Sequence, residues 1–422
     1  MRVDFAARTD DLPCGLGSGP IDPAMIGAAI GTQSDQMRSG VDIPPLPEIA
    51  GGRYTSETMQ ALEDAWLWRR TWLCAGRESM IPKGGDYFVF RKAGASILVV
   101  RGKDGKIRAF HNACRHRGAS VVREDCGHAG LLRCQFHSWA YNLEGHLVGV
   151  PEENGFPGLD RSERGLLPVR CETFEGWIFL NQNPEAEPLE DFLGEAGRQL
   201  THAAMGDLRV VERRSYRAEA NWKVTLDAFL ESYHLNTIHP QTAAIMNDAQ
   251  NSAIHLFERG HAWLASLRRQ YLSQDMGEAG QPDISAMHES FRKYAITYNL
   301  YPNLVSPIDP VGFPILLMWP VSRTSCEIEI YFLGPDWGEG ERPSFYESYF
   351  AFFDQLIEED LSNLASMQKS LDSGFFPGAL LNWTERKIYW QHQSMDEQIG
   401  RDRIPQEFQV KPVLMADGGM EG

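Results

Sequence analysis

Apolar residues first recur at helical steps between Thr55 and about Trp72, through Met59, Leu62 and Trp66, where Thr55 or Ser56 can cap the start. A turn follows at Ile81-Pro82-Lys83-Gly84-Gly85, and the period shortens. Alternating segments at Tyr87–Arg91, Ser96–Arg101 and Ile107–His111, broken by Ala93-Gly94 and Lys103-Asp104-Gly105, predict a β-meander with hairpin turns. Short strands such as Gly176–Asn181 continue to Asn183-Pro184, where the pattern places a domain boundary. Helical periods return at Leu189–Met205, at Trp222–Leu235 and, most regularly, at Ser344–Leu371, with Phe350, Phe353, Ile357, Leu361 and Leu364 on one stripe. Strand-like stretches lie between the last two at Ala262–Leu267, Ala295–Leu300, Ile315–Trp319 and Glu327–Leu333. Strands followed by a long helix predict an α+β domain with the helix laid across an antiparallel sheet. Residues 1–50, rich in Gly, Pro and small side chains, show no period and read as an irregular arm: a tail, or a strap for a neighbouring subunit. The expected organisation is an arm over 1–44, a β-rich domain with a leading helix over 45–184, and a second domain over 185–422.

Composition narrows the function classes. At 422 residues, 43% hydrophobic and 23% charged, the chain has ordinary globular composition and length for two or three domains. Its longest apolar runs, such as Phe313 to Pro320, are too short to cross a bilayer, so no membrane association is expected. The first residues lack an apolar stretch and carry Asp10 and Asp11, which makes the cytoplasm the expected location. A net charge of −17 disfavours nucleic acid as a partner. Seven cysteines, an odd number spread along a long chain, point to reduced thiols, some of them metal ligands.

Four residues carry the first chemistry. Cys114-Arg115-His116 is followed by Cys134-Gln135-Phe136-His137. Thiolate and imidazole at short spacing in two separate loops are metal ligands by type. A Cys-His plus Cys-His set fits two metals better than one symmetric zinc: one iron of a [2Fe–2S] pair takes the thiolates and the other the imidazoles. Neutral imidazole makes such a cluster less anionic and raises its potential. A zinc knuckle is the alternative, kept open by a second pair, Cys126-Gly127-His128, between the loops.

The second constellation lies in Asn221–Pro240. On a helix Asp227, Glu231 and His234, four and three residues apart, would share one face. His239, five residues past His234, would turn about 140° away, so both histidines reach one metal only if the helix unwinds or bulges between them. Two histidines plus a carboxylate form the facial triad of non-haem Fe(II) oxygenases. Two ordinary core or surface histidines are the alternative.

The run His111-Asn112-Ala113-Cys114-Arg115-His116-Arg117-Gly118, with Cys134-Gln135-Phe136-His137-Ser138-Trp139, closely resembles the Rieske ferredoxin motif. Asn221-Trp222-Lys223 with Asp227-x-Phe229-x-Glu231-x-Tyr233-His234-x4-His239-Pro240 resembles the catalytic motif of Rieske non-haem iron oxygenases, the large (α) subunits of ring-hydroxylating dioxygenases and related demethylating monooxygenases. The likeness runs from about residue 45 to the C-terminal region. Ser138 stands where many members have Gly, and Ala228 where Asn is common.

The resemblance implies a Rieske domain and a helix-grip, START-like catalytic domain. It implies Cys114, His116, Cys134 and His137 as ligands of the [2Fe–2S] cluster, with Cys126 and His128 not ligands. It implies mononuclear Fe(II) on His234, His239 and a third ligand from the last long helix, for which Asp360 is the best match and Glu358 and Glu359 are rivals. Glu231 stands at the carboxylate that joins His234 to a Rieske histidine, His137, of a neighbouring subunit, and Asp227 is expected near the iron without binding it. The implied assembly is a homotrimer, with or without a small β subunit. No NAD or flavin fingerprint occurs, so electrons would come from a separate NAD(P)H-dependent reductase, with or without a ferredoxin. O2 and a small organic substrate, an aromatic one foremost, would meet at the iron for hydroxylation, cis-dihydroxylation or oxidative demethylation. A Rieske electron carrier without oxygenase activity is the competing reading, although it leaves the second domain unexplained.

Three surface readings complete the expectations. Tyr54, Arg115 and Arg117 are candidate interface residues. Residues 101–133 hold eight Lys/Arg against three acids, a basic stretch suited to docking an acidic donor or an acidic neighbouring domain. Tyr298, Phe313, Leu316, Met318 and Trp383 are candidates for an apolar pocket and equally for core.

Overall fold

The computed structural model describes residues 21–41, 43–269 and 282–417. They divide into two compact units, one over Trp68–Phe192 and the other combining the described residues before Trp68 with those from Leu193 onward.

The first unit is built on the predicted meander. Its seven-stranded sheet runs, in spatial order, Leu73–Arg77, Trp177–Asn181, Pro168–Phe174, Ile107–His111, Ile97–Arg101, Asp86–Phe90 and Cys126–His128. A small sheet of Leu132–Arg133, Ala140–Tyr141 and Leu147–Gly149 accompanies it. Tyr87, Leu98, Val100, Phe110, Val121, Trp139 and Tyr141 form one apolar cluster, and Cys114 and Cys134 belong to it. Two of the candidate ligands are therefore fixed by the same burial that folds the unit.

The second unit is the α+β layer expected from its pattern. Seven antiparallel strands lie in the order Arg209–Ala218, Ser325–Gly334, Phe313–Ser322, Leu304–Ile308, Tyr294–Leu300, Ala262–Arg268 and Asn247–Leu256. The long helix Phe345–Asp372 packs on this sheet, with Tyr349, Phe350 and Phe353 around Phe332. Tyr298, Phe313, Leu316 and Met318 are buried.

Several expectations are corrected. Residues 23–39 of the expected arm form a helix. Its signals were local: the Asp22 carboxylate accepts from the Ala24 N–H, Pro23 opens the first turn, and Gly40 closes the end at φ 65°. Only Ile26, Ile30 and Ser34 are buried on it, too thin a stripe for periodicity to register. Residues 1–20 and 42, including Cys14 and most of the rest of that arm, lie outside the described residues. The leading helix is broken into Gly52–Thr55, Glu57–Leu62 and a π-helical turn Glu63–Leu67, with Ser56 as the cap before Thr58 and Met59. It groups with the second unit, not with the β-rich one. Glu63, 2% exposed, helps to hold it there: its carboxylate accepts from Trp222 Nε1 at 2.8 Å and pairs with Lys223 Nζ, while Met59 packs with Ile399 and Ile404. A further helix, Arg386–Ile399, escaped notice because it is buried almost all round and carries polar residues that face partners inside the unit.

Glu63 thus secures the start of the segment that carries His234 and His239. Removing one partner of a buried ion pair strands the other, at a cost of about 3–5 kcal/mol. Glu63→Ala is expected to destabilise the second unit by that order in denaturant titrations. An unchanged midpoint would show that Lys223 finds other compensation.

Candidate metal centres

The two cysteine loops are built alike. Cys114 N–H donates to Ala119 O at 2.7 Å and Gly118 N–H to Cys114 O at 2.9 Å. In the second loop Cys134 N–H donates to Trp139 O and Ser138 N–H to Cys134 O, both at 2.9 Å. Each loop closes on a residue in the left-handed region, Gly118 at φ 79° and Ser138 at φ 59°. That explains the Gly common at the Ser138 position: the turn demands a positive φ, which Ser adopts at some cost. Cys114 and Cys134 are 4% and 2% exposed and belong to the same buried cluster. Tyr141 Oη lies 3.3 Å from Cys114 Sγ and accepts from Arg115 N–H at 3.0 Å. The imidazoles sit further out. His116 and His137 have ring centroids 4.8 Å apart, His116 stacks on Trp139, and His137 is exposed with Arg117 Nη2 3.2 Å from its Nε2. Thiols inside and imidazoles at the surface suit a two-iron cluster ligated asymmetrically. Cys126 and His128 stand apart on an edge strand, where His128 pairs with Asp86.

The helix expected over Trp222–Leu235 ends at Ala228. Asp227, Glu231 and His234 therefore do not line one helical face; Phe229–Tyr233 is irregular. Asn221 caps the helix through Lys223 N–H, and Gln368 of the long helix accepts from Asn221 N–H at 2.7 Å. A single helical turn, Leu235–Ile238, then separates the histidines, with His234 at its start and His239 leaving helical geometry at φ −115°, ψ 42°. The break needed to bring the histidines together thus falls before His234 and at His239, without a π-bulge.

Both histidines face Asp360. His239 Nε2 is 2.9 Å and His234 Nε2 3.6 Å from Asp360 Oδ1, and one donor atom from each of the three residues lies within 4.8 Å of the others. Asp360 and His239 are buried, and His234 is partly exposed. Glu358 points to solvent, while Glu359 meets His239 at its other nitrogen. Glu231 Oε1 bonds His234 Nδ1, and its second oxygen accepts from the Tyr233 and His234 N–H groups. Two imidazoles presenting Nε2 and one carboxylate form the donor set that suits non-haem Fe(II).

Asp227 sits in a buried relay. Arg53 Nε donates to His392 Nδ1 at 2.9 Å; a guanidinium cannot accept, so the ring proton is on His392 Nε2. That nitrogen lies 3.1 Å from Tyr54 Oη, which donates to Asp227 Oδ2 at 2.7 Å. Burial lowers the His392 pKa, and burial followed by the Asp227 charge raises that of Tyr54. Tyr54, 5% exposed, is therefore part of this relay and not a surface residue. Sequence reasoning missed Arg53, His392 and Glu385. The Glu385 carboxyl, which accepts from Asn382 N–H, is raised by burial, with the charges of Glu231 and Asp227 adding to the shift.

A β unit with paired cysteine and histidine loops, in one chain with a pocket of two histidines and one carboxylate on an α+β unit, defines a two-centre iron redox protein. The Rieske [2Fe-2S] domain family matches residues 71–164, and the catalytic domain of the ring-hydroxylating alpha subunit matches residues 205–401. The chain belongs to the Rieske oxygenase α-subunit family, whose members carry a Rieske cluster and a mononuclear iron. The biphenyl 2,3-dioxygenase alpha subunit of Rhodococcus jostii is 37% identical over 46% of this chain and 45% of that protein, so that match spans about half of either. The carnitine monooxygenase oxygenase subunit of Escherichia coli K12 is 28% identical over 77% of this chain and 84% of its own length. Among solved structures, a quaternary ammonium Rieske monooxygenase superposes with a TM-score of 0.72 at 21% identity, covering 83% of this chain and 95% of that one. Naphthalene 1,2-dioxygenase from Rhodococcus sp. superposes at 0.68 and 20%, covering 89% and 98%. These relatives are oxygenase subunits, which favours an oxygenase over a bare electron carrier. No described helix is long and apolar enough to cross a membrane.

Proposed function

We propose that this chain is the terminal oxygenase of a Rieske-type system. In it Cys114, His116, Cys134 and His137 hold the [2Fe–2S] cluster, and His234, His239 and Asp360 hold the iron. The convergence of two Nε2 atoms on the Asp360 carboxylate carries the reading. When bound, the cluster supplies single electrons and the Fe(II) supplies a site for O2 beside the substrate. The protein's own part is to orient. Glu231 fixes the His234 tautomer through Nδ1, and Asp227, held by Tyr54, keeps a buried oxygen, Oδ1, without a partner among the described residues on this acidic side. The surface position of His137 and the carboxylate on His234 support a route between subunits of a homotrimer, with or without a β subunit.

The electron donor is a separate reductase or ferredoxin, and the setting is the cytoplasm. Part of the basic stretch is already paired, since Arg108 donates to Asp104 and holds the Asp104 carboxyl well below the usual carboxylate range. The rest of the stretch favours an acidic donor. Cluster reduction is expected to slow several-fold between about 0.05 and 0.5 M salt, as the Debye length shrinks. A salt-independent stopped-flow rate would remove electrostatic docking.

The substrate is a small organic molecule undergoing hydroxylation, cis-dihydroxylation or oxidative demethylation. An aromatic compound follows from the dioxygenase relatives. A quaternary amine is the second reading, favoured by the length over which the carnitine monooxygenase subunit matches. Chemically reduced protein, given O2 and a panel of both classes, is expected to yield one product per iron centre from one class. Cluster oxidation without product across the whole panel would contradict the assignment.

A further inference from the structure

We propose that Glu359 is the positioning residue for His239: it holds this imidazole in register for the metal and makes it the rigid ligand of the pocket. The inference rests on the reading of His234, His239 and Asp360 as the iron site. Consecutive residues of the long helix grip one ring at both nitrogens, Asp360 at Nε2 and Glu359 at Nδ1, at 2.9 and 2.8 Å. A carboxylate accepting at Nδ1 keeps the proton there and leaves the Nε2 lone pair for a metal.

Glu359 is itself fixed from two more directions. Thr242 Oγ1 donates to the same oxygen as His239 does, at 2.6 Å, and Gln355 Nε2 donates to Oε1 at 2.8 Å. This clasp ties the chain just past the single helical turn to the long helix. The tie matters because His239 has already left helical geometry, so its backbone alone does not aim the ring. The contrast with His234 is specific. Its carboxylate partner, Glu231, sits on the irregular Phe229–Tyr233 segment, whereas Glu359 sits on a regular 28-residue helix. The partner of one histidine is therefore carried by a regular helix, and the partner of the other by an irregular segment.

The test compares wild type with Glu359→Ala, Glu359→Gln and Glu358→Ala after anaerobic loading with Fe(II). Readouts are the Fe(II) dissociation constant by chelator competition and the EPR spectrum of the nitric oxide adduct. Thermal unfolding monitors the fold. Glu359→Ala is expected to weaken Fe(II) binding by about 10–100-fold and to change the rhombicity of the adduct. Glu359→Gln, which keeps an acceptor oxygen and loses the charge, should fall between. Glu358→Ala, a neighbour facing solvent, should match wild type. If Glu359→Ala unfolds, the near-isosteric Gln variant decides alone. Fe(II) affinity within twofold of wild type and an unaltered adduct spectrum in the Glu359 variants would overturn the proposal. Equal loss in Glu358→Ala would do so too. Wild type that binds no Fe(II) in this pocket would instead sink the iron assignment itself.

Discussion

Replacing His239 by Ala is expected to abolish product formation while leaving the Rieske signal intact. The ring is buried, grips Asp360 at 2.9 Å and has no substitute donor in the three-residue set. Losing even an outer partner of a metal ligand costs about 10–100-fold in affinity or activity, so losing the ligand should leave less than about one hundredth of wild-type turnover. The candidate cluster ligands lie in the other compact unit, so the two centres should part cleanly: no mononuclear iron, full cluster absorbance. Substantial turnover by His239→Ala would exclude this residue as a ligand. A parallel loss of the cluster would point to a folding defect instead.

Glu231→Gln is the second large effect, of a different kind. The substitution keeps a hydrogen-bond acceptor for His234 Nδ1 and removes the charge. Both metals should stay bound. What should fail is coupling: oxidation of the reduced cluster should no longer track product, and turnover should drop by about 100-fold, equivalent to about 2.7 kcal/mol of barrier. Single-turnover kinetics read both quantities together. Wild-type coupling in this variant would remove the bridging role and leave Glu231 as a local hydrogen-bond partner only.

The architecture was legible where turn residues bracket short apolar runs, as in the meander, or where one stripe of a long helix is buried. The meander strands and the long helix Phe345–Asp372 fall within one or two residues of their expected bounds, the strands because Gly-containing turns delimit them and the helix because its apolar stripe is regular. The helix Arg386–Ile399 was illegible for the opposite reason: Arg386, Lys387, His392 and Asp396 are buried with it, so apolarity does not alternate. The short helix Pro23–Ser39 announced itself only through its caps.

The candidate site divides the same way. The candidate ligands and the pairs that come together, His116 with His137 and His234 with His239, could be read in the sequence, since metal chemistry restricts the residues allowed. The local backbone could not. Spacing suggested a helix carrying Asp227, Glu231 and His234 together, and the chain instead stops that helix at Ala228. The supporting groups were invisible because they come from far along the chain. Glu63 holds Trp222, Arg53 sets the His392 tautomer, and Gln368 bonds Asn221. None of these pairings leaves a mark on local periodicity.

The central claim is that one folded chain holds two different iron centres. Iron and acid-labile sulfide per chain, measured on anaerobically reconstituted protein together with EPR after dithionite reduction, test it most directly. Three irons, two sulfides and a Rieske-type signal are expected. Two irons with two sulfides would leave only an electron carrier, and colourless protein without sulfide would contradict the account altogether.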